Sequence, residues 1–487
     1  MAGASIKRPA PRVGLLLNSI EVFNPGAKDA SEKALRGYFA ELVSSGAIDP
    51  GSIITNRIFG PVEAEKAADE FAAARVDLVV IANIAFPHGH VFLTLATNPY
   101  LAKIPLAVIA EPEPDIEEWG TNAWCGVIMN NHVAKQIGRE IVTIPGPFAG
   151  EEFRAEFERL CRVAGTIKFL RSDMMVRFGD APGGFHSASG DQMAFAAAFG
   201  TRMDTVDMTA VMNVYNTGTT KGYLGEVTFD DSDVQATIDQ MTSGRKCLVD
   251  PEMIGKSARL YQAYRAIIKA NGYTSGAFRC WPEQNESYIG VSACMAMAML
   301  LANDDIASAA CESDWPTAVV QTAATLLSGK PSPCLDWVNY TGGSDIIQLG
   351  HCGMGICGLM AAEPGGCGGE TDAIDVQPVI RQGGGCMGPV LVGQFAYGPK
   401  TGVCITQDPK TGLRVLAFAG ESSAATSRGL RYSAVDMKVA DYKSLNRIVL
   451  DGGFPHHLAV ALGDITADLR MLCRYLGVEF ISPHDES

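Results

Sequence analysis

Short apolar runs alternate with segments of helical periodicity through the first third of the chain. Four of these runs predict buried strands: residues 13–17, 53–58, 78–84 and 104–109. Between them, apolar residues from Ala34 to Leu42 recur at the spacing of one helix face, and an Ala- and Glu-rich segment over 62–74 predicts another helix. Strands that alternate with helices predict a parallel sheet with helices on both faces.

The alternation continues to about residue 340 and then changes. Helices are predicted over 151–163, 191–199, 257–270, 295–301 and 317–327, and strands over 174–178 and from 204. Beyond residue 340 glycine is dense, and β-type runs over 390–395, 402–406 and 414–419 precede a closing helix over 464–476. We therefore predict an α/β protein with two Rossmann-like α/β domains, residues 1–165 and 166–340, followed by a mainly antiparallel β C-terminal domain, residues 341–487.

Composition and charge narrow the classes of function. The chain of 487 residues has a formal net charge of −15 and no dense run of Lys or Arg, which argues against a nucleic-acid partner. No apolar run is long enough to span a bilayer and no signal-peptide core follows the N-terminus, so a cytoplasmic location without membrane contact is expected. The thirteen cysteines are an odd number and are expected to be reduced. The dinucleotide motif G-x-G-x-x-G does not follow the first predicted strand.

Two acidic residues, Glu312 and Asp336, end apolar segments on either side of the helix predicted over 317–327. Their separation is that of a strand–helix–strand crossover, which predicts that both acids lie side by side at one edge of a parallel sheet. Two adjacent carboxylates are unfavourable unless a proton or a cation lies between them. The spacing therefore favours a divalent metal site.

Histidines supply further candidate ligands. Among the eight histidines, His351 follows Gly350, and the pair His456 and His457 follows Pro455. Carboxylates combined with imidazoles suit Mn²⁺ or another divalent cation such as Co²⁺ or Mg²⁺. Each of these residues taken alone also fits an ordinary role as a cap, a solvated acid or part of a surface turn, and only their combination favours metal binding.

Several motifs resemble those of the L-fucose isomerase family. They are Cys311-Glu312-Ser313-Asp314, Arg279-Cys280-Trp281-Pro282-Glu283, Phe199-Gly200-Thr201, Val206-Asp207-Met208 and Pro455-His456-His457, together with Asp336, Gly463 and the closing helix. The resemblance covers roughly residues 170–340 and 445–480 and is weaker elsewhere. It implies a metal-dependent aldose–ketose isomerase in which Glu312, Asp336 and His457 bind Mn²⁺ and the two acids also act as acid–base catalysts.

The resemblance has further implications for His351 and for assembly. The related L-arabinose isomerases have a ligand His soon after the second acid, which would correspond to His351. In the L-fucose isomerase family the N-terminal domain of a neighbouring subunit completes the pocket, so we expect a homo-oligomer, a hexamer or a trimer. Segments such as Asn83–His90 and Glu111–Asp115 would then contribute. The family has Asn directly before the ligand His, whereas this chain has His456, so the resemblance does not extend to L-fucose itself as substrate.

The predicted reaction moves a carbonyl between C1 and C2 of an open-chain sugar through a cis-enediol, with the cation holding O1 and O2. Few basic residues stand near the proposed site apart from Arg279 and Lys330, which favours a neutral pentose, a deoxyhexose or a modified sugar over a sugar phosphate. Three alternatives remain open: a non-catalytic sugar-binding protein, an epimerase and an aldolase.

Four cysteines lie in the Gly-rich segment: Cys352, Cys357, Cys367 and Cys386. Common zinc and iron–sulfur sites contain a C-x2-C pair, which is missing from this spacing. Packing in tight turns is therefore favoured over a second metal site.

Overall fold

The computed structural model describes residues 7–22, 25–113, 120–243, 245, 247–281, 288–340, 344–361, 376–380, 386–427 and 432–483. Asp115, Pro282, Glu283 and Cys367, all singled out above, lie outside these ranges, as does the side chain of Cys386. The chain divides into two compact units. The smaller comprises residues 8–169 and 470–477, and the larger comprises residues 1–7, 170–469 and 478–487.

The smaller unit is built on a parallel five-stranded sheet. Its strands are β1 (Val13–Asn18), β2 (Ile53–Ile58), β3 (Leu78–Asn83), β4 (Leu106–Ala110) and β5 (Val142–Pro145), in the order β2-β1-β3-β4-β5. Its helices are α1 (Pro25–Ser44), α2 (Pro61–Ala73), α3 (Gly89–Thr97), α4 (Ala123–Gln136) and α5 (Glu151–Ser172), the last of which ends in the larger unit. Every residue of β1, β3 and β4 is buried, as expected for strands covered on both faces. The predicted parallel α/β arrangement of this region is confirmed.

The larger unit begins with a second parallel sheet. Its segment of the chain contains β6 (Met174–Phe178), β7 (Arg202–Val206), β8 (Thr219–Gly222), β9 (Gly225–Thr228), β10 (Ser275–Phe278) and β11 (Ala309–Cys311). The sheet order is β11-β10-β6-β7, and β8 and β9 pair separately as a hairpin. The accompanying helices are α6 (Gln192–Phe199), α7 (Met208–Thr217), α8 (Asp231–Thr242), α9 (Pro251–Asn271), α10 (Cys294–Ala302) and α11 (Trp315–Ser328).

A mixed sheet, in which antiparallel pairs predominate, follows in the same unit. The remaining strands are β12 (Cys334–Tyr340), β13 (Ile346–His351), β14 (Val376–Ile380), β15 (Cys386–Leu391), β16 (Gly393–Gln394), β17 (Gly398–Asp408), β18 (Gly412–Ser422), β19 (Ser433–Val439), β20 (His457–Ala461) and β21 (Glu479–Ile481). The order is β16-β19-β13-β12-β20-β17-β18-β21, and β19 also pairs with β18, so that six strands close into a barrel. Strands β14 and β15 pair outside it, and the last helices are α12 (Tyr442–Gly452) and α13 (Thr466–Leu476).

The expected crossover between Glu312 and Asp336 is wrong. Strand β11 belongs to the parallel sheet, whereas β12 belongs to the barrel, so the two strands are not paired in one sheet. The reason is the environment of α11, which contacts β10 of one sheet and β17 and β20 of the other and is buried along almost its whole length. A helix covered on all sides lies between two layers rather than on the outer face of one sheet.

Other boundaries differ from the sequence patterns in smaller ways. The run over 390–395 is divided between β15 and β16, and β17 and β18 extend several residues beyond the predicted strands. Strand β12, which lies in the predicted domain 166–340, pairs with β13 and β20 from the predicted domain 341–487. Within the described ranges, no helix combines the length and the apolar character that crossing a bilayer requires.

Candidate active site and metal centre

Three adjacent strands of the barrel carry three of the predicted ligands. Strand β12 lies between β13 and β20, and Asp336 is the register partner of both Gly350 and His457. His351 follows Gly350 as the last residue of β13. Directly opposed residues of an antiparallel pair have their side chains on the same face, so the register alone brings Asp336 and His457 together.

Glu312 reaches the same place from the parallel sheet through a strained turn. It follows β11 with φ 53°, and Ser313 has φ 57°, so two consecutive residues with side chains adopt the left-handed conformation. Such a conformation costs about 1–3 kcal/mol for each residue and persists only where the surroundings enforce it. Ser313 is held by its backbone N–H, which donates to Phe278 O at 2.9 Å, and by its hydroxyl, which donates to Phe178 O and Gly179 O at 2.9 and 3.1 Å.

Four potential ligand atoms converge at this point. His457 Nε2 lies 2.9 Å from Glu312 Oε2 and 3.2 Å from Asp336 Oδ1. His351 Nε2 lies 3.9 Å from Glu312 Oε2 and 3.9 Å from Asp336 Oδ2. Glu312 Oε2, Asp336 Oδ1 and the two Nε2 atoms are all buried, and none makes a well-oriented hydrogen bond to another described residue. Buried polar atoms are ordinarily paired, so this group of facing nitrogen and oxygen atoms fits a cation.

Asp314 orients His457 from behind. Its Oδ2 lies 2.8 Å from His457 Nδ1, and both side chains are wholly buried. The same carboxylate caps α11 by accepting from Thr317 N at 3.0 Å and from Thr317 Oγ1 at 2.8 Å. A carboxylate at Nδ1 keeps the hydrogen of a neutral imidazole there and leaves the Nε2 lone pair for a metal, as in carboxylate–histidine–metal triads.

His351 has the opposite arrangement. The backbone N–H of Cys352 donates to His351 Nδ1 at 3.0 Å, and the Cys352 Sγ atom lies 3.3 Å from the same nitrogen. An accepting Nδ1 places the hydrogen of the neutral ring on Nε2, the atom that faces Glu312 and Asp336. His351 in this orientation is therefore a hydrogen-bond donor to the cluster.

The charges in the cluster shift the pKa values of all four residues. Burial acts to raise the pKa of Glu312, but His351 and His457 outweigh it and hold the pKa far below its usual value. The pKa of Asp336 is also lowered against burial, chiefly by the charge of His351. Burial acts to lower the pKa of His351, but Asp336 and Glu312 raise it to about 9. The pKa of His457 is raised strongly against burial by Asp314, Asp336 and Glu312. Both carboxylates are therefore ionised at neutral pH, and a cation that binds here displaces the proton on His457 Nε2.

Aromatic side chains form one wall of the cluster. Trp281 Nε1 donates to Glu312 Oε1 at 3.1 Å and so fixes the carboxylate oxygen that does not face the histidines. The ring of Phe185 lies 5.6 Å from the ring of His456, 6.0 Å from that of His457 and 6.3 Å from that of Trp281. His456 is half-exposed at the rim, with Nε2 3.8 Å from Asp336 Oδ1. The Phe185 ring therefore lies next to both His456 and His457.

The structure thus brings together the four residues predicted as ligands, Glu312, Asp336, His351 and His457. Asp314, Trp281 and Phe185 were not assigned a role from sequence, although the first two stand within the motifs quoted above. An Asp at the start of a predicted helix is expected to be an N-cap. Its second contact, with a histidine far away in sequence, cannot be predicted from the neighbouring residues.

Other residues considered from sequence lie elsewhere. His88, His90 and Glu111 belong to the smaller unit. Lys330 is exposed at the end of α11. Cys352 Sγ lies 3.8 Å from Cys294 Sγ, whereas Cys357 Sγ accepts from Arg245 Nη2 at 2.8 Å. These two cysteines therefore have different partners rather than a common site.

Two curated proteins are similar to the chain over most of its length. A sulfoquinovose isomerase from Clostridium sp. (strain MSTE9) is 24% identical over 405 residues, which is 82% of this chain and 85% of the relative. A sulfoquinovose isomerase from Alkalicoccus urumqiensis is 23% identical over 411 residues, which is 83% of this chain and 86% of the relative. No protein-family model matches the chain. Both names are those of sugar isomerases, the class expected from sequence, and neither is that of an L-fucose isomerase.

Proposed function

We propose that the protein is a divalent-metal-dependent aldose–ketose isomerase that acts on a modified sugar. The observation that carries the metal site is the convergence of four buried ligand atoms without well-oriented hydrogen bonds in the described structure. The similarity to two sulfoquinovose isomerases over more than four-fifths of the chain supports the reaction class. A sugar-binding protein has no evident need for two ionised carboxylates facing one imidazole nitrogen.

Glu312, Asp336 and His457 are the residues that would hold the cation, because each directs a free lone pair at the same point. Mn²⁺, Co²⁺ or Mg²⁺ accepts such oxygen and imidazole donors, and the bound ion supplies positive charge next to the two sugar oxygens on which negative charge develops. His351 joins the ligands only if its contact with Cys352 N–H is broken, and otherwise its Nε2–H donates to the carboxylates or to a sugar oxygen.

The two carboxylates are suited to the proton transfers. Their lowered pKa values keep them ionised, so each can accept the proton that leaves C2 when the enediol forms. The Asp336 side chain is 35% exposed, against 10% for Glu312, so a sugar that enters from solvent meets Asp336 first. Glu312 is fixed by Trp281, which leaves its Oε2 atom free on the histidine side. Delivery of that proton to C1, together with transfer of the O2 proton to O1, completes the isomerisation.

The substrate proposed first is a sugar bearing a sulfonate, since both relatives are sulfoquinovose isomerases. The test is a panel that includes sulfoquinovose, L-fucose and L-arabinose, assayed with Mn²⁺ and after treatment with EDTA. Ketose formation that EDTA abolishes supports the proposal. Binding without conversion indicates a sugar-binding protein, C2-inverted sugar an epimerase, and cleavage products an aldolase.

The variant Glu312→Gln tests the assigned acid directly. Turnover should fall by about 100-fold or more while the fold is retained, because a carboxamide cannot accept the proton. Glu226→Gln, an exchange at an exposed position, is the matched control and should keep the parental rate. Full activity of Glu312→Gln would contradict the mechanism.

A further inference from the structure

Two pairs of cysteine thiols lie beside the cluster. Cys280 Sγ and Cys311 Sγ are 3.2 Å apart, and Cys294 Sγ and Cys352 Sγ are 3.8 Å apart. All four are free thiols, and Cys352 directly follows His351. We propose that Cys294 and Cys352 are a modification site, at which peroxide forms a reversible disulfide that displaces His351 and inactivates the enzyme. The consequence for activity rests on the function proposed above, whereas formation of the bond does not.

The backbone already holds the two residues together. A Cβ atom at Gly353 would lie 2.7 Å from Cys294 Cβ and 2.3 Å from Val390 Cγ1, so only glycine allows the chain after Cys352 to pass this close to α10. The two sulfur atoms must approach by less than 2 Å to reach the bonding distance of about 2.05 Å. No large rearrangement is needed for the bond to form.

Formation of the disulfide would move Cys352 rather than Cys294. Cys294 is the first residue of α10, and the eight residues Cys294–Leu301 are all buried in the core of the larger unit. Cys352 lies just beyond the end of β13 and is partly exposed. Since His351 is bonded to Cys352 and its Nδ1 accepts the Cys352 N–H, a shift of Cys352 toward α10 would move the imidazole relative to Glu312 and Asp336.

The chemistry of the pair is asymmetric. Cys352 is partly exposed whereas Cys294 is buried, so peroxide from solvent reaches Cys352 first. The Cys352 thiolate attacks one oxygen of hydrogen peroxide, the O–O bond breaks, and a sulfenic acid and water result. Cys294 sulfur then attacks the oxidised sulfur, the S–S bond forms, the S–O bond breaks, and hydroxide leaves as water with the Cys294 proton. Two electrons pass from the thiols to one peroxide.

The pair Cys280 and Cys311 is the less suitable one despite its shorter distance. Both residues are buried, whereas one member of the other pair, Cys352, is partly exposed, so peroxide from solvent has less access to Cys280 and Cys311. This pair therefore serves as the internal comparison.

The experiment treats the Mn²⁺-loaded full chain with hydrogen peroxide, then blocks free thiols, maps disulfides by peptide mass spectrometry and measures isomerase activity before and after dithiothreitol. The expected product is a Cys294–Cys352 peptide, with activity reduced by about tenfold or more, as for loss of a residue that supports a metal site, and restored by the reductant. Cys352→Ser and Cys294→Ala should each retain their starting activity under the same treatment. Cys125→Ser, which removes an exposed cysteine of the smaller unit, should respond like the parent.

The outcomes separate the two proposals. Absence of the Cys294–Cys352 peptide, a Cys280–Cys311 peptide in its place, or reversible inactivation that persists in both variants overturns the inference. If the parent protein has no isomerase activity, the proposed function fails, and peptide mapping still reports whether the bond forms.

Discussion

Replacement of Asp314 by Asn tests how His457 is prepared for metal binding. The Asp314 carboxylate accepts His457 Nδ1–H at 2.8 Å and caps α11 through Thr317 N at 3.0 Å. In the variant the amide oxygen can keep only one of these two roles. If it keeps the cap, the amide NH₂ faces His457 Nδ1 and forces the hydrogen of the neutral ring onto Nε2, the ligand atom.

The expected loss of metal affinity follows from the burial of the contact between Asp314 and His457. Both side chains are wholly buried, so solvent cannot replace the lost acceptor. Removal of such a partner behind a metal-bound histidine costs about 10–100-fold in metal affinity, or about 1.4–2.8 kcal/mol. Asn is nearly as good a helix cap as Asp, so the free energy of unfolding of the metal-free protein should change by less than about 1 kcal/mol.

Calorimetric titration of metal-free protein with Mn²⁺ measures the affinity, and urea unfolding measures stability. Asp441→Asn is the matched control, because Asp441 caps α12 in the same way by accepting from Ser444 N at 3.0 Å. That control should bind Mn²⁺ like the parent protein. Parental Mn²⁺ affinity in Asp314→Asn would refute the assignment of His457 Nε2 as a ligand oriented by Asp314.

Three further predictions concern the cluster and the parallel sheet of the larger unit. Trp281→Phe removes the donor to Glu312 Oε1 and should lower kcat/KM by about 10–100-fold, since an unpaired buried oxygen costs about 1–3 kcal/mol; an unchanged kcat/KM would show that the contact is irrelevant. Mn²⁺ at about 100 times its Kd should stabilise the folded protein by about 2.7 kcal/mol, seen as a higher calorimetric Tm, and an unchanged Tm would count against a metal site. Burial raises the pKa of Asp173 to about 6 although Thr274 and Ser275 donate to it. Asp173 therefore contributes its full stabilisation below the unfolded pKa of about 3.9, and this stabilisation is lost as pH rises through about 6. Over that interval the free energy of unfolding of the parent, measured with urea, should fall by about 2–3 kcal/mol relative to that of Asp173→Asn. Parallel pH profiles of the two proteins would contradict this.

The sequence correctly predicted helices and strands of the larger unit where burial and hydrophobic periodicity agree. The strand over 174–178 and the helices predicted over 191–199 and 295–301 are present with ends that differ by one residue or less. By contrast, β13 and β19 gave no usable signal, because a short strand of mixed polarity resembles a loop until its partners are known. The register that aligns Asp336 with His457 joins residues more than a hundred positions apart, and local patterns do not specify such pairings.

For the candidate site, residue types alone singled out Glu312, Asp336, His351 and His457, because carboxylates and imidazoles are rare in apolar segments and share a preference for divalent cations. The reason first given for bringing the two acids together, a crossover within one sheet, was wrong. Packing of α11 between two sheets brings them together instead, and the left-handed turn at Glu312 and Ser313 directs the acid to the barrel.

What the sequence by itself determined is therefore six strands of the parallel sheets, β1 to β4, β6 and β7, and the chemical identity of the candidate ligands. These follow from local hydrophobic periodicity and from side-chain chemistry, which every residue carries with it. Only the tertiary structure decided which histidine presents a free Nε2 lone pair. Asp314 at His457 Nδ1 and the Cys352 N–H at His351 Nδ1 give two chemically identical rings opposite roles, because the tautomer of a buried imidazole is set by the partner that folding places beside it.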